Sequence, residues 1–176
     1  MSDQKVINKG TIRLEKVDIT DLDIESFVYY ARSDLKLGSG FGGAIILRGG
    51  QAIQKELDTL APLELTKAII SDAGNLKAKY IIHANGPKFQ EEDLEKKLGE
   101  TTLNALKLAD SKGIQKIALP PMGTGFYAIP LDLSAKITLK VVSDYLMGST
   151  NLKEVVFCFN DNREYKPFQK QLTALN

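Results

Sequence analysis

Short apolar stretches alternate with longer amphipathic ones along the chain. Runs rich in β-branched and aromatic residues predict strands over residues 12–17, 26–31, 66–71, 79–83, 115–119 and 154–159. Apolar residues at helical spacing predict helices over 50–60, 92–111, 130–146 and 167–175. Strands that alternate with crossover helices form a largely parallel sheet covered by helices on both faces. We therefore predict a three-layer α/β/α sandwich with a mixed, largely parallel sheet, as a single domain over residues 1–176.

Composition excludes several classes of function but leaves the predicted fold as it is. The 23 lysines and arginines nearly balance the 22 acidic residues, so nothing in the overall charge favours a nucleic-acid partner. One cysteine and one histidine exclude a disulfide framework within one chain and a zinc site of Cys/His clusters; we expect no metal and no cofactor. The N-terminus lacks the apolar stretch of a secretory signal, and no apolar run is long enough for a membrane helix. We expect a cytoplasmic protein that does not contact membranes.

Two glycine-rich loops are the strongest candidates for a ligand site. Gly38–Gly43 and Met122–Tyr127 each lie between a predicted strand and a predicted helix. Glycine lets backbone amides approach a ligand closely, and amides that converge at a helix N-terminus favour phosphate. Each loop alone is equally well explained as a tight connection, but two such loops are suited to hold the two phosphates of a pyrophosphate.

Other catalytic interpretations fit the sequence less well. The first loop matches Gly-x-Gly-x-x-Gly, but residues 32–38 separate it from its strand, and the acidic residue expected further on, Asp58, falls inside a predicted helix. Cys158 and His83 lie in apolar strand runs, which favours packing in the core over a nucleophilic pair.

Four segments, taken in order, resemble the motifs of macro domains. They are Val17–Thr20, Leu37–Ile45, Tyr80–Pro87 and Ala118–Gly125. The part of the chain from Lys79 onward most resembles the macro-histone branch, which binds rather than cleaves. The resemblance implies a domain that binds ADP-ribose, free or attached to protein, and some members of the family hydrolyse ADP-ribose derivatives.

The resemblance also assigns a role to individual residues. Asp18 would accept a hydrogen bond from the adenine amino group, since a carboxylate is an acceptor only, and the backbone of Ile19 would support the base. Without the resemblance, Asp18 is explained as a residue that turns the chain after a strand. Tyr127 would either lie over a ribose or pack beside Pro130. The remaining loop residues would surround the distal ribose and the phosphates: Gly38, Ser39, Gly40, Phe41, Gly42, Met122, Gly123, Thr124, Gly125 and Phe126.

Departures from the family pattern bear on catalysis. The strand that ends in Asn-Ala-Ala-Asn in catalytic members ends here in Tyr29–Arg32, and Gly42 stands where hydrolytic members often carry an acid. Arg32 either pairs with a phosphate or carboxylate of the ligand or is a surface arginine. We predict no catalytic residue.

The position that usually stacks on adenine also departs from the family. It is occupied by Asn160, with Phe159 one residue before. Either the register slips and Phe159 stacks, or Asn160 and Asp161 read the base edge.

The sequence therefore predicts binding of ADP-ribose, a related nucleotide or an ADP-ribosylated protein, with little or no catalysis. The alternative is a hydrolase of ADP-ribose 1″-phosphate, O-acetyl-ADP-ribose or ADP-ribosylated protein. A lesser alternative is a protein that binds another nucleotide or RNA.

Overall fold

The computed structural model describes residues 3–175, which form a seven-stranded sheet and five α-helices. The predicted domain of residues 1–176 extends beyond this range by residues 1, 2 and 176. The strands are β1 (Gln4–Ile7), β2 (Gly10–Lys16), β3 (Ser26–Tyr30), β4 (Ala68–Asp72), β5 (Tyr80–Ala84), β6 (Lys116–Leu119) and β7 (Glu154–Phe159). The helices are α1 (Gly40–Gly49), α2 (Ala52–Asp58), α3 (Leu94–Ser111), α4 (Leu131–Met147) and α5 (Asn162–Ala174), with one 3₁₀ turn at Ile19–Asp21.

The sheet is mixed and largely parallel, as predicted. Its strand order is β1-β2-β7-β6-β3-β5-β4. The five central strands run parallel, and the two edge strands, β1 and β4, are antiparallel to their neighbours. The carboxyl ends of β2, β7, β6, β3 and β5 therefore meet at one end of the sheet.

Helices cover both faces of the sheet, which confirms the three-layer α/β/α prediction. Helices α3, α4 and α5 bury one face, where Phe157, Phe159 and Phe168 are part of the core. Helices α1 and α2 bury the other face, around Phe27 and Ile45. Alternate residues of a strand point to opposite faces, and burial on both faces explains why the central strands are apolar throughout.

The structure differs from the prediction at three elements. Strand β1 lies at the edge and has only four residues, too few for a period-two pattern to stand out. Helix α1 begins inside the glycine-rich segment that was predicted as a loop. Helix α5 begins at Asn162 rather than at Pro167, because the Asp161 side chain accepts a hydrogen bond from the Glu164 amide at 3.0 Å and caps the helix.

No helix within residues 3–175 has the length and apolar character to cross a membrane. The cytoplasmic location stays a prediction.

Candidate functional site

A cleft of about 470 Å³ opens at the carboxyl ends of β3 and β6. One wall is the segment that leads into α1, and the other is the loop between β6 and α4. Ligands of largely parallel sheets bind beyond the carboxyl ends of the strands, so the cleft lies where the topology favours a site. We call it the first cleft; it is lined by Tyr29, Tyr30, Arg32, Leu37, Gly38, Ser39, Gly40, Phe41, Pro120, Pro121, Gly123, Thr124, Gly125, Phe126 and Tyr127.

The N-terminal end of α1 forms the first wall. Gly38 (φ +65°) and Gly40 (φ +59°) are left-handed, a conformation that glycine adopts without a Cβ penalty. Ser39 is the N-cap residue, yet its side chain makes no capping hydrogen bond, and no acidic residue lies in the first turn. The helix therefore directs free amides and the positive end of its dipole into the cleft, an arrangement that binds anions.

Gly42 lies behind this wall and does not line the first cleft. A Cβ at Gly42 would lie 1.8 Å from the Leu37 carbonyl oxygen and 2.7 Å from the Tyr29 hydroxyl. Glycine is required here for packing, because the start of α1 lies directly against the preceding loop. This contact accounts for Gly42 without any ligand.

The second wall is a loop folded by its own hydrogen bonds. The Thr124 hydroxyl donates to the Pro121 carbonyl at 3.0 Å, and the Ile129 amide donates to the Gly123 carbonyl at 2.9 Å. Met122 is fully buried, and its carbonyl accepts a hydrogen bond from Ser134 at 2.7 Å. The Met122 side chain thus anchors the loop in the core, so only its backbone is left to face a ligand.

Two aromatic residues end this loop. The Phe126 side chain is 97% exposed, and its ring contacts Tyr127 edge-on at 5.7 Å between centroids. Tyr127 also contacts Tyr30 edge-on at 5.2 Å. Burial of the Phe126 ring therefore contributes little to the stability of the fold, and Phe126 lines both this cleft and the neighbouring one.

The two tyrosines at the end of β3 are held by backbone carbonyls. Tyr29 donates to Leu37 at 3.3 Å, and Tyr30 donates to Pro87. Burial raises the pKa of Tyr29 to about 12 and raises the pKa of Tyr30 as well. Neither hydroxyl therefore acts as a base at neutral pH.

Arg32 lines the first cleft, at the position where the sequence resemblance places the last asparagine of catalytic macro domains. Its guanidinium pairs with Asp34 at 2.8 Å, and its side chain is 58% exposed. It is thus a surface residue that also lines the cleft, and in this structure its partner is a carboxylate of the chain itself.

Asp18 lies outside the first cleft, at the carboxyl end of β2. Its Oδ1 accepts hydrogen bonds from the Thr20 amide at 2.9 Å and the Thr20 hydroxyl at 2.7 Å. Arg48 pairs with its Oδ2 at 3.0 Å. Partial burial works to raise the pKa of Asp18, but the bonds from Thr20 and Arg48 outweigh it and hold the pKa below its ordinary value. The carboxylate is therefore ionised at neutral pH, and Oδ2 still has a free lone pair for an N–H donor.

The turn that follows Asp18 shows the structural role of this residue. Asp18 caps the 3₁₀ turn through Thr20, so it does turn the chain after β2. The Ile19 side chain is buried in the core, so its backbone is the part that can face a base.

Asp18 and Asn160 follow the carboxyl ends of the neighbouring strands β2 and β7. These ends lie side by side, because Lys16 pairs with Phe159 in the parallel register. Asn160 is exposed, and its amide donates to Glu164 at 2.7 Å. Phe159 is 1% exposed and packs against Tyr165 and Phe168. The alternative in which Phe159 stacks on adenine is therefore wrong, since its ring belongs to the core on the α5 side.

Cys158 and His83 are both buried in the core, as predicted. Two strands separate their strands in the sheet, which places them roughly 14 Å apart at ordinary strand spacing. Burial lowers the pKa of His83 to about 3 and raises the pKa of Cys158 to about 12. They form no nucleophilic pair. Among residues 3–175, no group of three His, Cys, Asp or Glu residues is arranged to hold a metal ion.

A second cleft of about 720 Å³ adjoins the first one. The two share Arg32, Phe126 and Tyr127, so they lie side by side. The remaining lining residues of the second cleft are Ser33, Asp34, Pro62, Leu63, Glu64, Leu65, Asn85, Gly86, Lys88 and Glu91.

Comparison with known proteins agrees with this geometry. A family model described as the macro domain matches residues 30–138. A macro domain-containing protein of Caldanaerobacter subterraneus is 40% identical over 174 residues, which cover 96% of this chain and 99% of that protein. The chain belongs to the macro domain family.

Solved macro domains also share the fold closely. A mutant macrodomain of Oceanobacillus iheyensis, solved with ADPR, matches with a TM-score of 0.92 and 26% identity, over 97% of this chain and 96% of that one. The macrodomain of Trypanosoma brucei in complex with ADP-ribose matches with a TM-score of 0.86 and 25% identity, over 92% of this chain and 68% of that one. Similar macro domains thus hold nucleotides of this class.

Two features of this macro domain were missed in the sequence. Arg48 lies 30 positions from Asp18 in the chain, and no local pattern connects them. The Tyr80–Pro87 segment was recognised as a family motif, but nothing in it indicated that Asn85 and Gly86 line a second cleft with Glu91.

Proposed function

We propose that this macro domain binds ADP-ribose, or an ADP-ribosyl group on another molecule, and hydrolyses it slowly or not at all. The observation that carries the proposal is the first cleft, in which the uncapped N-terminus of α1 and the loop from Pro120 to Tyr127 line a single space. Both walls contain glycines, Gly38 and Gly40 in one and Gly123 and Gly125 in the other, whose backbone can approach a pyrophosphate without a Cβ in the way.

In this proposal the adenine of the nucleotide binds at the carboxylate of Asp18. Helix α1 has ten residues, about 15 Å at the usual rise, with its N-terminus at the first cleft and Arg48, the partner of Asp18, near its C-terminus. A nucleotide that lies along this helix reaches Asp18 with its base while its phosphates stay at the N-terminus. Asp18 accepts from an amino group and disfavours a carbonyl at the same place.

We expect slow hydrolysis or none because of the residues that would surround the distal ribose. Arg32 is a donor with no acceptor capacity, so it does not take a proton from water. The hydroxyls of Tyr29 and Tyr30 stay protonated at neutral pH, and His83 is sealed in the core. None of these four groups supplies a general base to the first cleft.

The test measures turnover and binding on the same preparation. Titration calorimetry with ADP-ribose should give micromolar affinity, and ADP and AMP should bind more weakly because they lack the distal ribose. ADP-ribose 1″-phosphate incubated with micromolar protein for hours should release no phosphate above the background rate. Absence of ADP-ribose binding would overturn the binding function, while steady turnover would establish the hydrolase alternative instead.

A further inference from the structure

The second cleft begins where the first one ends. Arg32, Phe126 and Tyr127 belong to both, and the remaining walls of the second cleft come from segments 62–65 and 85–91. If a nucleotide fills the first cleft with its phosphates between the glycine-rich loops, a group attached to the far ribose extends past these three residues. The second cleft is the space that such a group enters.

The walls of the second cleft hold unusual backbone. Leu35, Thr66, Gln90 and Ala128 have φ values of +59°, +71°, +72° and +63°. Each directly follows or precedes a lining residue of the second cleft. Residues with a Cβ seldom adopt the left-handed region, and such positions gather at functional sites more than elsewhere.

Glu91 gives this cleft a chemical preference. Its Oε2 is shut off from solvent and has no hydrogen-bond partner among residues 3–175. Because this oxygen is closed to solvent, a ligand in the cleft can reach the carboxylate only through its other oxygen, and Glu91 forms no salt bridge among residues 3–175 that would compensate its charge. A donor from the ligand at that second oxygen would offset part of the cost of the unpartnered group. A cationic donor would relieve it best, since hydrogen bonds between charged groups are the stronger ones.

The other charged groups point the same way. Arg32 and Asp34 form a salt bridge and neutralise each other. The other charged residues that line the second cleft are two acids, Glu64 and Glu91, and one base, Lys88. The unpaired charges therefore favour a basic group over an acidic one. Leu65 and Phe126 add exposed apolar surface beside them.

We propose that the second cleft binds the polypeptide around an ADP-ribosylated residue and prefers a basic side chain next to that residue. The inference rests on the proposed function and adds the partner: a modified protein segment rather than free nucleotide alone. The basic side chain donates to Glu91, and Leu65 and Phe126 contact the flanking chain.

The experiment compares two synthetic peptides, each carrying ADP-ribose on a central serine. One has lysines on both sides of the serine, and the other has glutamates. The lysine peptide should bind about tenfold more tightly than the glutamate peptide, as a charge-assisted hydrogen bond in a partly closed site allows. The Glu91→Gln variant should lose most of this difference and keep its affinity for free ADP-ribose, which also shows that it is folded.

Glu92→Gln is the matched control. Glu92 is the next residue, is exposed, and lines neither cleft, so the same change of charge there should leave the lysine preference intact. Lys88→Gln provides a second variant at an exposed position; removal of its positive charge should widen the preference for the lysine peptide.

The outcomes separate the two proposals. If free ADP-ribose binds and both peptides bind equally, or if Glu91→Gln keeps the full preference, the partner inference is wrong and the nucleotide function stands. If free ADP-ribose does not bind, the proposed function fails, and the inference, which extends that site, fails with it.

Discussion

Gly125 offers a way to test nucleotide binding without disturbing the fold. It lines the first cleft, and a Cβ built on it meets no atom within 4 Å. The φ angle of Gly125 is not positive, so a residue with a side chain can adopt this backbone conformation without strain. Substitution by glutamate should change the free energy of unfolding by no more than about 0.5 kcal/mol, as at other open surface sites.

The loss of binding follows from charge. A carboxylate at Gly125 would lie on the order of 6 Å from each phosphate of a bound pyrophosphate, and at effective dielectric constants of about 80 to 20 each repulsion is about 0.7 to 2.8 kcal/mol. Because the loop is exposed and salt screens the charges, we take about 1 kcal/mol for each phosphate. The two together predict an affinity about 30-fold lower for Gly125→Glu.

Titration calorimetry with ADP-ribose, at low and at high salt, measures the effect. Gly125→Gln has nearly the same bulk without the charge and should lose much less affinity, and the deficit of Gly125→Glu should shrink as salt rises. Equal affinities of Gly125→Glu and the parent protein would refute the position of the pyrophosphate. Equal losses in the two variants would refute the electrostatic reasoning.

Three further predictions concern the base, the core and the start of α1. Asp18→Ala should lower the affinity for ADP-ribose about tenfold in calorimetry, because a hydrogen bond to a half-exposed carboxylate is lost. The control Asp21→Ala breaks an exposed ion pair with a lysine and should leave the affinity unchanged. Equal losses of affinity in the two variants would contradict the adenine role of Asp18. Because burial lowers the pKa of His83 from 6.5 to about 3, the unfolded chain binds a proton first, so stability should fall by up to about 1.4 kcal/mol per pH unit as pH drops from 6.5 towards 3. Between pH 6.5 and about 5.5, above the range in which carboxylates ordinarily titrate, urea unfolding of the parent should show this slope and His83→Leu should lack most of it; equal slopes in the two proteins over that interval would contradict the role of His83. Gly42→Ala should lower the free energy of unfolding by about 3 kcal/mol or more, because its Cβ would lie 1.8 Å from a backbone oxygen; Gly43→Ala, with its nearest atom at 3.3 Å, should cost far less, and equal losses would contradict the packing argument.

Elements whose pattern is local were predictable from the sequence. Helix α3 runs Leu94–Ser111 and helix α4 runs Leu131–Met147, within two residues of the predicted bounds, since each has a long apolar stripe and α4 follows Pro130. The start of α1 was not predictable in this way, because glycine is a poor helix former. That helix is stabilised instead by Ile45 in the core and by the close contact that Gly42 allows.

The site divides along the same line. Each of the two glycine-rich loops is a continuous segment of the sequence whose glycines carry the signal, so it could be predicted that both loops would line one cleft. The sequence could not show which face of the sheet the Phe159 ring lies on, because β7 is buried on both faces and has no alternation of apolar and polar residues. Arg48 and Glu91 take their roles from tertiary neighbours, Asp18 in one case and the walls of the second cleft in the other.

The central claim, that a nucleotide lies along α1 between the two glycine-rich loops, is tested most directly by amide NMR shifts on addition of ADP-ribose. We predict large shifts for Gly40, Gly125 and Phe126, further shifts near Asp18, and little change in the middle of α3. Shifts confined to other regions, or no shifts at millimolar ADP-ribose, would contradict it.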